Sequence, residues 1–150
     1  HTHTHTSQFS IFKKDVVFIP INQGNTHWAS AAIFMKEKVI RYYDSLAGNG
    51  ITELKTLQRY LMDEWKDKKE RHKLDESTKP VPSDWKLEVT GRSVPQQHNG
   101  CDCGVFTCAF AQCVSLDLPF DFSQSIMPHF RRHIALSIVS NGVLIPDPYK

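Results

Sequence analysis

Two short runs, "HWASAAIFM" (27–35) and "KVIRYYDS" (38–45), are built from β-branched, aromatic and small apolar residues and are separated only by a polar turn around "KEK". So short a connection joins antiparallel strands; parallel ones need a crossover of a dozen residues or more. The pair is expected to form an antiparallel hairpin. "DVVFIPIN" (15–22), just before it, has the apolar, β-branched character of a buried strand. The next segment changes period. In "ITELKTLQRYLMDEWKDKKERHK" (51–73), Leu54, Leu57, Leu61 and Trp65 recur at helical spacing among charges, which predicts an amphipathic helix, and Gly48 and Gly50 break the chain ahead of it.

Beyond the turn-rich "DESTKPVPSD" (75–84), "WKLEVT" (85–90) alternates as a strand does. The loop "GRSVPQQHNG" then leads into "CDCGVFTCAFAQCVSL" (101–116), where Val105, Phe106, Ala109, Phe110 and Cys113 mark the buried face of a helix. Cys108 and Cys113 read as buried structural thiols on that helix. A last helix is expected through "IMPHFRRHIALSIVSNG", with Ser125 as its N-cap and Pro128 in the first turn, where the missing N–H costs little. Trp65, Trp85 and the leucine series belong to the core. The expected class is α+β, a small mixed or antiparallel sheet packed between helices. Residues 1–14 are expected to be disordered or poorly packed, with the domain proper at 15–150; His1, His3 and His5 alternate with threonines but receive no function.

At 150 residues, with 40% hydrophobic and 23% charged residues, the chain suits one globular domain. A net charge of +2, with lysines and arginines interleaved among acids as in "DEWKDKKERHKLDE", argues against a nucleic-acid partner. No run of eighteen apolar residues exists, so a membrane-spanning helix is not expected. The start "HTHTHTSQFS" lacks the apolar stretch of a signal peptide, which predicts a soluble protein in a reducing compartment.

All four cysteines, Cys101, Cys103, Cys108 and Cys113, lie within thirteen residues, which makes a disulfide framework the weakest reading. A zinc site from His98, Cys101, Cys103 and Cys108 is also poor: the ligands come from one segment, without the paired knuckles of structural zinc sites. A nucleophile fits better. It needs a base, a group to orient that base, and donors for an oxyanion. In a hairpin folded about residues 35–37, the start of the first strand meets the end of the second, so His27 and Asp44 are expected on neighbouring strands at one end of the sheet, with Asp44 holding the imidazole in one tautomer. The alternative role for Asp44 is to end a strand or open a turn, as aspartates commonly do. Cys103 falls where loop becomes helix, and a helix N-terminus favours thiolate. Gly104 beside it leaves room for a substrate carbonyl. The Cys103 N–H and the side-chain amide of Gln97 are candidate oxyanion donors, with Gln96 a rival for Gln97. Cys101 reads as a spectator, or as a thiol able to trap Cys103 on oxidation.

"HW", the Asp of "YYDS" seventeen residues after that His, "PQQHNGCDCGVF" and "FSQSIMPHFRRHI" occur in this order, and together they resemble the SUMO-specific (sentrin-specific, Ulp-type) cysteine proteases. The resemblance runs from about residue 15 to 144 and covers the C-terminal two-thirds of that catalytic domain. It implies a papain-like cysteine protease fold, here lacking the family's N-terminal portion. It implies His27, Asp44 and Cys103 as catalytic triad, Gln97 as oxyanion-hole residue, and Trp28 as cover of the tunnel that holds the substrate's Gly-Gly end, with Gly104 also facing substrate. Position 101 departs from the family, which has small or aromatic residues there. The implied reaction is cleavage after the C-terminal glycine of a SUMO-like modifier, both from its precursor and from lysines of conjugated proteins, with no cofactor and no metal, by a monomer in the nucleus or cytoplasm. The rivals are a non-catalytic modifier-binding module on the same fold and a protease for another ubiquitin-like protein such as Nedd8.

Overall fold

The structure, a computed structural model, describes residues 10–70 and 82–140. Its strands are β1 (Val16–Gln23), β2 (His27–Phe34), β3 (Val39–Tyr43) and β4 (Lys86–Val89), and its helices are α1 (Ile51–Glu70), α2 (Cys103–Leu116) and α3 (Met127–Val139). The sheet has the order β1-β2-β3-β4. The links β1–β2 and β2–β3 are too short for anything but antiparallel neighbours, whereas β4 runs parallel to β3 after the long excursion through α1. The sheet is therefore mixed. The expected hairpin is present, with a turn of four residues, 35–38, in place of the tighter one expected. β1 departs from expectation. It stands at the sheet's end and is only half-buried, and Pro20, which cannot donate to a ladder, sits on such an edge at little cost. The expectations for residues 1–9, 71–81 and 141–150, including His1, His3 and His5 and the ends of the helices expected to reach 73 and 142, lie outside the described residues. Among the described residues no helix is long and apolar enough to cross a membrane.

By its contacts the chain forms two compact units. The first comprises the described residues of 1–19, 31–42 and 49–89. Its core holds Ala31, Ala32, Ile33, Val39, Ile40, Tyr42, Leu54 and Leu61, all buried. Leu57, Trp65 and Trp85 are half-buried, so the helical stripe read from the sequence points inward most fully at Leu54 and Leu61. The β3–β4 register sets Arg41 opposite Glu88, and their side chains meet at 2.6 Å. Ahead of α1, Gly50 is packed on the ring of Tyr42 so closely that a Cβ would overlap ring carbons, while its carbonyl accepts the Leu54 N–H and starts the helix.

The second unit comprises 20–30, 43–48 and the described residues of 90–150. Val105, Phe106, Ala109, Phe110 and Cys113 of α2 are buried, as the sequence pattern predicts. Around them Tyr43, Phe120, Phe122 and Phe130 close an aromatic cluster with Phe106 and Phe110, neighbouring ring centroids lying 5.4–6.5 Å apart. Rings tilted or edge-on at such distances add to the area they bury. α2 stops at Asp117, whose left-handed φ of 53° lets the Leu118 N–H return to the Cys113 carbonyl. α3 begins differently from expectation. Pro128 does fall in the first turn, but the cap position is Ile126, because the chain enters through a 3-10 turn (Gln124–Ile126), and the Ser125 hydroxyl bonds that of Ser123 at 2.8 Å instead of a helix N–H. Cys108 is exposed, against expectation. Five residues on an α-helix turn through about 140° beyond a full circle, so Cys108 and Cys113 cannot share one face.

Gly50→Ala forces a Cβ into the Tyr42 ring and is expected to destabilise the fold by roughly 1–3 kcal/mol, as overpacking does, read as a lower urea midpoint with an unchanged slope.

Candidate active site

β2 opens on His27, and the residue after β3 is Asp44. His27 Nε2 and Asp44 Oδ1 are 2.7 Å apart, with Asp44 almost wholly buried and His27 only slightly exposed. The hairpin thus joins two of the residues singled out by the sequence. With Nε2 taken by Asp44, the ring's other nitrogen, Nδ1, has no hydrogen-bond partner among the described residues and is the atom left for proton transfer. Both readings of Asp44 hold: besides the histidine it accepts the Leu46 N–H at Oδ1 and the Gly48 N–H at Oδ2, so the carboxylate that orients the imidazole also shapes the turn behind it.

Cys103 is the first residue of α2 and is buried, as a free thiol. Two observations place this end of α2 against β2. The Thr107 hydroxyl reaches the Trp28 carbonyl at 3.5 Å, and the Trp28 ring comes within 3.7 Å of where a Cβ on Gly104 would stand. Trp28, adjacent to His27, is 42% exposed and so lies at the surface over the position following the thiol. Gly104, which could carry a methyl group without a clash, carries none.

Gln97 is buried in the loop before α2. Its N–H donates to the Ser45 carbonyl at 2.9 Å, the Ser45 hydroxyl donates to its Oε1 at 2.6 Å, and its Nε2 donates to the Asn99 carbonyl at 2.5 Å. One amide N–H remains. Gln96 is spent differently: its Nε2 is shared among the carbonyls of Val94, Gly91, Pro95 and Asp44, where it folds the loop and fastens it to the end of β3. The structure therefore favours Gln97 over Gln96 as the side chain with a donor to offer.

Sequence reasoning passed over Asp102, between the two cysteines. Its buried carboxylate does not cap α2. Oδ1 accepts both Arg131 Nε (3.0 Å) and Arg131 Nη2 (2.6 Å), and Oδ2 accepts Asn99 Nδ2 (2.7 Å) and Gln124 Nε2 (2.6 Å). Arg131 also donates to the Cys101 carbonyl at 2.9 Å. All four acceptor positions of the carboxylate are thus filled, half of them by a guanidinium that places two N–H groups on the one oxygen Oδ1, both charge-assisted. The Asn99 amide first, and then the Arg131 guanidinium, hold the Asp102 carboxyl below its ordinary range, against desolvation and with help from Gln124. Only Asn99 is a near neighbour in sequence; the partners from 124 and 131 leave no local signal. Cys101 is exposed, with its N–H on the Asn99 side-chain oxygen.

The family profile described as the Ulp1 protease family, C-terminal catalytic domain, matches residues 1–142. The chain belongs to the Ulp1 protease family. A sentrin-specific protease of Caenorhabditis elegans is 37% identical over 139 residues, and sentrin-specific protease 2 of Homo sapiens is 33% identical over 145 residues; each alignment covers 93% of this chain but only 19% and 22% of those proteins. The solved C-terminal Ulp1 protease domain, in complex with Smt3, the yeast ortholog of SUMO, superposes with a TM-score of 0.73 at 33% identity, covering 89% of this chain and 56% of that one. The chain thus spans about a fifth of the length of its curated relatives and little more than half of the solved domain. Its fold is that part of the Ulp1 catalytic domain, the α+β class expected from its sequence.

A carboxyl held below its ordinary value stabilises the fold at pH above the unfolded value, near 3.9, and ceases to do so as pH falls through the folded one. Asp102→Asn is therefore expected to lower the urea midpoint at pH 7, with a smaller gap to wild type at pH 3; a gap that does not change with pH would exclude the charge as its cause.

Proposed function

We propose that this domain is a thiol protease and isopeptidase that cleaves after the C-terminal Gly-Gly of SUMO-like modifiers, maturing their precursors and removing them from lysines of target proteins. The observation that carries the reading is the 2.7 Å contact of His27 with Asp44, made beside a tryptophan whose ring lies 3.7 Å from where a Cβ on Gly104, the residue after Cys103, would stand. Family membership supports it. In the proposed reaction His27 accepts the Cys103 proton and the thiolate attacks the carbonyl carbon of the terminal glycine. The resulting oxyanion lies between the Cys103 N–H and the free N–H of Gln97. As the C–N bond breaks, His27 returns the proton to the leaving amine, and water, deprotonated by His27, hydrolyses the thioester to release the glycine carboxylate and the thiol. Asp44 holds the ring so that Nδ1 faces this exchange and offsets its positive charge. No step calls for a cofactor. The substrates are the modifier precursor and SUMO-conjugated proteins, met in the nucleus or cytoplasm by a monomeric enzyme.

The deciding experiment is side-by-side cleavage of SUMO and Nedd8 precursors by the purified chain. Faster turnover of the SUMO precursor supports the reading, preference for Nedd8 reassigns the modifier, and binding without cleavage identifies a docking module.

Cys103→Ser is expected to lower cleavage at least about 10⁴-fold, the usual cost of losing a triad member, while Cys101→Ser keeps most of it in the same assay. Gly104→Ala separates substrate room from folding. Alanine in place of a helical glycine is worth up to about 1 kcal/mol, and the methyl fits, so the melting temperature should hold or rise while kcat/KM for the precursor falls.

A further inference from the structure

We propose that Ser45 is a positioning residue for the oxyanion donor, setting which end of the Gln97 amide faces the reaction. The inference rests on the reading of Gln97 given above. A primary amide has an accepting end and a donating end of nearly the same shape, so packing alone does not decide between them, and an oxyanion is stabilised only by the donating one. Ser45 supplies the choice. It is 1% exposed, its hydroxyl donates to Gln97 Oε1 at 2.6 Å, and its carbonyl accepts the Gln97 N–H at 2.9 Å. A hydroxyl already aimed at the oxygen makes the flipped amide costly only if no proton rotates away, and burial leaves that proton few alternatives. On the other side Gln97 Nε2 donates to the Asn99 carbonyl at 2.5 Å, which fixes the amide at both ends and leaves one N–H to offer.

The placement of Ser45 ties this to the base. It directly follows Asp44, whose side chain holds His27. The base and the oxyanion donor therefore take their orientation from one dipeptide at the end of β3, on a strand whose neighbouring residues are buried. Rigid support of this kind is what a preorganised donor requires, because the donor must already point to where charge will develop.

The test uses the whole chain and the SUMO precursor. Gln97→Ala sets the scale, with an expected loss of about 10²–10³ in kcat. Ser45→Ala is expected to lower kcat on the order of tenfold, the worth of one buried hydrogen bond, with KM within about twofold. Placed in the Gln97→Ala background it should cost little more, because both changes remove the same interaction. The rate at which iodoacetamide alkylates Cys103, measured in a Cys101→Ser/Cys108→Ser background, should be unchanged, since alkylation forms no oxyanion. If Ser45→Ala does not melt cooperatively, Ser45→Cys, close in volume but a weak donor, replaces it and should lower kcat severalfold. Wild-type kcat in a folded Ser45 variant overturns the proposal, and so does an equal loss with and without Gln97, or a parallel fall in alkylation. A Gln97→Ala enzyme with full activity, or a wild-type chain that cleaves nothing, overturns the underlying reading instead, and the inference with it.

Discussion

The hydrogen bond between His27 and Asp44 depends on a carboxylate that is buried where a strand ends, and most of the site is arranged around that fact. A buried carboxylate is costly unless its oxygens are satisfied. Here they are met by the imidazole and by the N–H groups of Leu46 and Gly48. The same contacts that make the charge tolerable bend the chain after β3 and present Ser45 to Gln97. Stability and chemistry thus draw on one set of bonds.

A second carboxylate organises the start of α2. Asp102 precedes Cys103, at the place where an aspartate would ordinarily cap the helix and fill its free N–H groups. Arg131, Asn99 and Gln124 draw its side chain away. The first-turn amides of α2 are thus not capped by that side chain. The loop from 91 to 102 is held from both ends, by Gln96 and Gln97 on the residues after β3 and by the Asp102 cluster on α3. Its course is set by side chains, since it contains no regular strand or helix beyond a 3-10 turn at Gly91–Ser93.

Much of this was legible in advance where physics is local. The hairpin, the amphipathic helix α1 and the buried face of α2 follow from side-chain periods that reflect backbone geometry. The pairing of His27 with Asp44 followed from the hairpin alone, even though the turn proved longer than expected. The misreadings share a cause. Ser125 has the chemistry of a cap, but the chain's approach through a 3-10 turn put it elsewhere. Cys108 carries an apolar-type side chain in an apolar segment, yet its angle on the helix turns it outward. The strand at 16–23 has the composition of an interior strand and lies at the edge. In each case composition was right and position in space decided against it.

Residue types and their short-range spacing determined the helices, the hairpin, the pairing of His27 with Asp44, and the thiol at a helix start, because each depends on neighbours within a turn or one hairpin. Only the tertiary structure decided that Gln97 and not Gln96 keeps a donor to spare, that Ser45 faces its oxygen, and that Arg131 and Gln124 close on Asp102. Those contacts join segments 22 to 52 residues apart. No periodicity encodes such partners; they meet because burying the aromatic cluster folds α2, α3 and the intervening chain onto one another, and polar groups enclosed in that process must find their bonds there.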